Sequence, residues 1–295
     1  MSNHSEAYGS RDQRREKYTQ GKEFEDGTLE TLESIISAVE DETLSKDYQP
    51  LIVFFQRGFG AQLVQTWSYY AQVNNHGKFS KTTSLLTKTL RVLSSDTSTV
   101  TIGSGLIRLI LTDYTKVLYR GLNNMRAQLT NPILRLLKQI VNFNNGQLIE
   151  ELVSYFDFSL PILPRLLVPS KSELANGNSS ADSSKHDSIR FTFIKFWLTL
   201  ISNASPFVRK ELLTENFKIM SNLFKFMNKA DSDKLSEHIL SVFINDILKE
   251  KSFKRTTKTK ILNELAASKI HHFYYSSNKN LVKKANEFFL TFGAS

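Results

Sequence analysis

Cysteine is absent from the 295 residues. That excludes disulfide staples, thiolate metal sites and a cysteine nucleophile together, and it is compatible with a reducing compartment. Proline, at 6, and glycine, at 12, are scarce, which disfavours a turn-rich β architecture. Nowhere do eighteen apolar residues run without interruption, and the start, Met1 to Glu6, is polar with no apolar leader. Neither a membrane span nor secretion is expected. What the chain has in quantity is phenylalanine, 21 residues, within an apolar fraction of 40%. Long helices packed through large side chains suit that composition.

Charge is unevenly spread. Residues 1–47 hold six Lys/Arg against twelve Asp/Glu, residues 48–170 twelve against five, residues 171–248 ten against nine, and residues 249–295 ten against three. A net charge of +9 is therefore concentrated in a basic body and a basic C-terminal end. Such a distribution favours an anionic partner, nucleic acid first among them, while positive charge on solvated helix faces can also serve solubility alone.

Residues 1–27 contain almost no aliphatic side chains and are expected to form a disordered arm. From Thr28 the period turns helical, with Leu29, Leu32, Ile35, Ile36 and Val39 on one face and acidic residues around it, as suits the capping element of a stacked array. Pro50 opens the next helix, Gly58 and Gly60 interrupt it, and Leu63, Val64, Trp67, Tyr70 and Ala71 continue the period to a turn at Asn74–Gly77. Phe79, Leu86, Leu90 and Leu93 mark another helix, and Ile102, Leu106, Leu109, Ile110, Val117 and Leu118 one more. Pro169 to Lys185 has no core-forming run, so a disordered loop is expected at about 169–186. Asp187 then reads as the N-cap of a helix apolar almost all round, and Ser205-Pro206 as cap and first position of the next. Further helices are expected over Phe217–Met227 and Leu235–Leu248. The last apolar segment, Leu281, Ala285, Phe288 and Phe292, has no polar cap, so continuation past Ser295 into a larger protein is expected, the competing reading being a last helix that folds back onto its own core.

The most informative stretch is Asn131 to Leu167. Asn131 suits an N-cap, Pro132 a first helical position and Asn145-Gly146 a stop, while Ile133, Leu136, Leu137, Ile140 and Val141 form one apolar stripe between them. Leu148, Leu152 and Tyr155, beside Ile149, Val153 and Phe156, mark a second helix at once, which predicts a short antiparallel pair. Spacing near forty residues per hairpin, without strict repetition, points to an all-α, armadillo/HEAT-like α-solenoid of antiparallel helix pairs over residues 28–295.

Two signatures here, Asn-Pro-Ile-Leu-Arg-Leu-Leu with Phe-Asp-Phe-Ser-Leu, and Asp187-Ser188-Ile189-Arg190-Phe191, resemble the N-terminal domain of the nucleolar pre-ribosomal-associated proteins, across roughly Pro50 to Phe292. The resemblance implies a helical scaffold in early nucleolar particles of the large ribosomal subunit, near pre-ribosomal RNA and with other assembly factors including an RNA helicase. The matching residues are scaffold residues by their chemistry, so no catalytic residue is carried over.

For an anion the leading candidate is Lys249, Lys251, Lys254, Arg255, Lys258 and Lys260, six cations in twelve positions offset by Glu250. Lys254, Arg255 and Lys258 fall in the first turn of a helix, where positive charge opposes the macrodipole, and folding alone does not favour that arrangement. Phosphate does, since lysines and free N–H groups converge on it. An unpartnered corner and a nuclear-import signal are the competing readings. Lys283 and Lys284, with Lys279, extend the patch, and Phe273, Tyr274 and Tyr275 offer rings for stacking or for the core. His271 and His272 lack the spacing of metal ligands, and no metal or other cofactor is expected. Gly103-Ser104-Gly105 and Gly58-Phe59-Gly60 follow no strand and lack the Gly-Lys-Ser/Thr ending of a phosphate loop, so they read as helix bends.

A non-enzymatic scaffold contacting pre-ribosomal RNA, with neither membrane nor small-molecule substrate, is the reading these features favour. A helical protein–protein adaptor with no RNA contact is the main rival. An enzyme is disfavoured, because no cluster offers an activated nucleophile, a metal cage or a nucleotide loop.

Overall fold

A computed structural model describes residues 27–40, 47–143, 145–167, 180–215, 219, 222–223, 233–251, 253–256, 258–259 and 270–294. The expected arm, most of the expected loop and nearly all of the Phe217–Met227 helix lie outside the described residues, as does Lys260. Every regular element among the described residues is helical, in line with the all-α expectation. The chain divides into two compact units, Met1–Ile110 and Leu111–Ser295.

In the first unit, helix α1 (27–40) buries Leu32, Ile36 and Val39. Its acidic face meets α4 (His76–Leu93): Glu33 pairs with Lys81 at 3.3 Å, and Glu40 with Arg91. Helices α2 (Gln49–Gln56) and α3 (Phe59–Gln72) are joined through Gly58, whose φ of 83° lies in the left-handed region that a Cβ disfavours. All five residues expected on the inner face of α3 are buried. Trp67 stacks on Phe79 of α4 at 5.9 Å and donates its indole N–H to Thr83 Oγ1 at 2.8 Å, so its polar edge is satisfied inside the core. Asn75 caps α4 by accepting from Lys78 N. Gly103 and Gly105 lie within α5 (Val100–Asp113).

The run expected as a single helix from Ile102 to Leu118 is two. It breaks at Tyr114, and α6 (Thr115–Asn123) begins anew with the Thr115 hydroxyl bonded back to the Leu111 carbonyl. No glycine or proline marks that break, so the apolar period runs across it unaltered.

In the second unit, α7 runs Ala127–Asn142, one turn further upstream than its sequence signals. Asn131 is therefore no N-cap. It is buried inside the helix and donates to Ser188 Oγ at 2.8 Å, while Arg126 occupies the cap position. Pro132, the sixth residue of α7, lies inside the helix, so its missing N–H forgoes one i→i−4 bond. The predicted stripe, Ile133 to Val141, is wholly buried, and Arg135 and Asn142 are exposed. Asn145 accepts from Gln147 N and Leu148 N and so caps α8 (Gly146–Tyr155). Tyr155 is half exposed and does not join the apolar line expected of it.

Beyond a one-turn helix α9 (Ile162–Arg165), α10 runs Ser180–Asn203. Residues 180–186, expected in the loop, are helical, and Asp187 lies inside the helix, pairing with Arg190 at 2.8 Å. Helix α10 packs along α7 and also meets α8. Phe158, from the Phe-Asp-Phe-Ser-Leu signature, stacks on Phe196 at 6.3 Å and lies 6.0 Å from Trp197. The Phe-Asp-Phe-Ser-Leu signature thus packs on α10, the helix that carries the second signature, in a core where each large apolar side chain contributes about 1.5–3 kcal/mol by its burial. Helix α11 (Pro206–Glu215) starts at the expected Ser205 cap, which accepts from Val208 N at 3.5 Å. Helix α12 (Asp233–Val242) continues as a single π turn, Phe243–Leu248, and a 3₁₀ turn, Ile270–Tyr275, leads to α13 (Lys279–Ala294).

Candidate nucleic-acid interface

The basic corner begins where the π turn ends. Its wide winding places Lys249 N on the carbonyl of Ile244 at 3.0 Å, and the chain leaves it through Lys249–Phe253, with Phe253 buried as the anchor. Helix α13 packs against both α12 and the π turn, so Lys283 and Lys284 belong to the same part of the unit as Lys249.

Three of the predicted cations have structural partners. Lys249 donates to Asn245 Oδ1 at 3.2 Å and to Glu287 Oε1 at 3.0 Å. Lys284 donates to the other oxygen of the same carboxylate, Oε2, at 3.0 Å. These two hydrogen bonds, Lys249 first, hold the Glu287 carboxyl below the usual carboxylate range. Lys258 reaches back to the carbonyl of Leu248 at 2.6 Å, satisfying an acceptor that the end of the π turn leaves open. Lys258 N also bonds the Lys254 carbonyl at 3.1 Å, which places Lys254 at a helix start as expected.

The remaining described candidates, Lys251, Lys254, Arg255 and Lys283, are exposed. Among the described residues none of the four has an ion pair. The predicted cluster thus resolves into an inner set that ties the corner together and an outer set directed at solvent. Tyr274 stacks on Phe289 at 5.5 Å, whereas Tyr275 is 89% exposed. The side chains of His271 and His272 lie outside the described residues, and among the described residues no group of three acidic or imidazole side chains is placed to hold a metal. No described helix is long and apolar enough to cross a membrane.

Sequence reasoning missed a heavily bonded cation in the unit. Arg209, on α11, is 7% exposed and donates from Nε to the Ile201 carbonyl at 2.8 Å, from Nη2 to the Ala204 carbonyl at 3.0 Å, and from Nη1 to the Asp246 carbonyl at 2.8 Å. It therefore closes the C-terminal end of α10, where the macrodipole favours a cation, and fastens that end to the π turn. Asp246 and Glu250 lie 3.9 Å and 3.5 Å from the guanidinium. Burial pushes the Asp246 carboxyl up, against the opposing effects of the Ser202 hydrogen bond and Arg209. The arginine belongs to the fold and is not available to a ligand.

The N-terminal domain family of ribosome 60S biogenesis, Npa1, matches residues 60–295. This chain belongs to the Npa1 family. Its basic corner and both signature segments lie inside the matched range, so the Npa1 domain includes the corner as well as the α7–α10 core. Nucleolar pre-ribosomal-associated protein 1 of Saccharomyces cerevisiae is 99% identical over 295 residues, the whole of this chain. The chain spans 17% of that relative's length. Among solved structures, a designed armadillo repeat protein in complex with the peptide (KR)4 aligns at a TM-score of 0.43 with 13% identity, covering 88% of this chain and 99% of that one. An engineered protein aligns at 0.45 with 11% identity, covering 90% and 99%.

Proposed function

We propose that this Npa1 domain is a non-enzymatic scaffold of early nucleolar pre-60S particles, an armadillo/HEAT-like array of helix pairs that contacts pre-ribosomal RNA through its basic corner. The observation that supports it most is the division of labour at that corner. Lys249, Lys258 and Lys284 already have protein partners, so Lys251, Lys254, Arg255 and Lys283 are surplus to folding and present positive charge to solvent. Recognition is of backbone and shape: mobile ammonium groups suit phosphates, and an exposed helix start adds N–H donors of the same sign. Helix faces elsewhere serve other large-subunit assembly factors, an RNA helicase among them. The site of action is the nucleolus.

Binding of a structured pre-ribosomal RNA fragment, measured over a salt series, tests this reading. Lys251→Glu with Lys254→Glu is expected to weaken affinity by an order of magnitude or so and to lower the salt slope by about two. Affinity and slope equal to the parent's would favour the adaptor reading, in which the corner contacts no RNA.

A further inference from the structure

Three helices of the second unit carry a basic side chain at the same level. Asn131 of α7 meets Ser188 of α10 at 2.8 Å, and Ser202 of α10 donates to Asp246 Oδ2 at 3.0 Å on the π turn that continues α12. Seven residues on from the first contact stand Lys138 and Lys195, and seven or eight back from the second stand Lys195 and His238. A step of seven or eight returns to nearly the same face of a helix, so α7, α10 and α12 run side by side in one direction with these three residues abreast. The imidazole senses both ammonium groups: its partial burial first, then Lys138, with Lys195 adding less, holds it below its ordinary value, and Asp246 opposes them. Arg135 stands one turn before Lys138 on α7. Axes of neighbouring helices lie about 8–10 Å apart, so the basic ladder advances by about that distance at each step.

Folding does not account for this arrangement. Arg135 and Lys195 are exposed, Lys138 is half-buried, and among the described residues none of the three has an ion pair. Cations brought abreast repel one another and are tolerated only because water screens them. The carboxylate that acts on His238, Asp246, is itself taken up by the Ser202 hydroxyl and by Arg209 at 3.9 Å. Nor does the ladder have an apolar anchor. The large apolar side chains exposed on the described residues of this unit, Tyr155, Phe207, Tyr274, Tyr275 and Leu290, all lie on other elements.

We infer that the ladder of Arg135, Lys138, Lys195 and His238 receives the phosphate backbone of duplex RNA. The inference rests on the RNA-contacting reading of the basic corner and gives that RNA a second, double-stranded contact on other helices of the same unit. Ammonium and guanidinium groups spread over three helices suit a backbone that presents negative charge continuously, and an imidazole N–H donates to a phosphate oxygen as well. Unpaired RNA is held largely by stacking, and the ladder offers no phenyl, phenol or indole ring. An acidic protein segment would satisfy the charges but find no apolar anchor, on which protein interfaces depend. Double-stranded RNA, recognised through its phosphates and its shape, needs neither.

The test compares variants of the 295-residue chain for binding a fluorescein-labelled RNA duplex of about 16 base pairs, and an unpaired strand of the same length, across a potassium chloride series. Lys138→Glu with Lys195→Glu is expected to weaken duplex binding at least tenfold and to lower its salt slope by about two, with a smaller loss on the unpaired strand. Lys138→Gln with Lys195→Gln removes the repulsion without reversing charge; it is expected to melt like the parent and to lose duplex affinity severalfold, so it decides the matter should the glutamate pair unfold early. Parent-like duplex binding by the ladder variants, while Lys251→Glu with Lys254→Glu binds weakly, overturns the ladder and leaves the corner standing. Loss in the ladder variants alone supports the ladder and overturns the corner. A parent chain that binds no RNA overturns both. An equal loss on duplex and unpaired strand overturns the assignment to duplex. Polyglutamate that binds the parent as tightly as the duplex does, and loses affinity in the same variants, assigns the ladder to acidic protein and overturns the inference.

Discussion

Asn131 of α7 donates its side-chain amide to Ser188 Oγ of α10 across 2.8 Å, so the two segments that carry the family signature are joined by a hydrogen bond between their polar residues. The other end of that amide, Oδ1, is buried with no partner. A buried acceptor left unmade costs about 1–3 kcal/mol, so Asn131 contributes specificity of register between the helices more than net stability. Ser188→Ala is expected to destabilise by ~1 kcal/mol, because it strands the amide N–H as well. In a double-mutant cycle by urea unfolding, Asn131→Ala and Ser188→Ala should couple by about 0.5–1.5 kcal/mol. Strict additivity would mean that the two groups do not interact.

Arg209 offers a sharper test of what holds α10 to the π turn. Its guanidinium bonds three main-chain carbonyls in a nearly closed site, so truncation leaves those acceptors and the Asp246 carboxylate without their cation. Arg209→Met should cost about 3–5 kcal/mol, the range for breaking a buried charged arrangement from one side. Arg209→Lys keeps the charge but has no planar fork, and is expected to recover only part of the loss in the unfolding midpoint.

These two residues also mark the limit of what pattern shows. The inner faces were readable because burial follows helical period: every residue of the Ile133–Val141 stripe and of the Leu63–Ala71 face is buried where the spacing places it. Helix ends were read less well. Asn131 and Asp187 have the chemistry of N-caps, yet α7 and α10 begin upstream of them; in α7 the added turn buries Leu129 and Thr130, a tertiary contact that no local start signal shows. At the basic corner, composition identified the cations but not their division into structural and outward sets, which depends on Glu287 from a distant helix and on the Leu248 carbonyl. Arg209 gave no periodic signal at all. A single arginine in a first turn looks like solvated charge until the carbonyls around it are placed.

His238 of α12 makes stability depend on pH. Burial first, then the ammonium group of Lys138, with Lys195 adding less, holds its imidazole below the ordinary value of 6.5, and Asp246 opposes them. The unfolded chain therefore takes up the proton first on acidification, and the stability present above 6.5 is lost as pH falls through the lowered folded-state value. Asp246 runs the other way, its raised carboxyl contributing stability that is lost as pH rises through it, and it is present in both proteins compared. The drop in melting temperature between about pH 7.5 and about pH 5.5 should be smaller for His238→Gln than for the parent. An unchanged drop would assign the pH dependence to other groups.

Gly121 lets α6 approach α7. A Cβ at this position would stand 2.5 Å from Ile133 Cγ1, and Ile133 is fully buried and branched at Cβ, so it has little room to turn away. Alanine gains ~1 kcal/mol of helix propensity, but overpacking of this kind costs about 1–3 kcal/mol. Gly121→Ala should therefore be net destabilising, and Gly121→Ala with Ile133→Val should regain part of the loss. A stabilised Gly121→Ala would show that the two helices separate freely.

Stability measurements also separate the two kinds of lysine at the basic corner without any RNA. Lys258 is half-buried, and its ammonium group satisfies the carbonyl of Leu248 at the end of a turn whose other side is fixed by Arg209. Removing it exposes an acceptor that only water can then reach, so Lys258→Met should lower stability by about 1 kcal/mol even though the aliphatic stem is kept. Lys251 and Lys254 are exposed, and alanine at either is expected to change stability by no more than ~0.5 kcal/mol. Urea midpoints measured side by side decide the matter. Equal effects at all three positions would erase the distinction between inner and outer cations, whereas a loss confined to Lys258 leaves Lys251 and Lys254 as charge that the fold does not need.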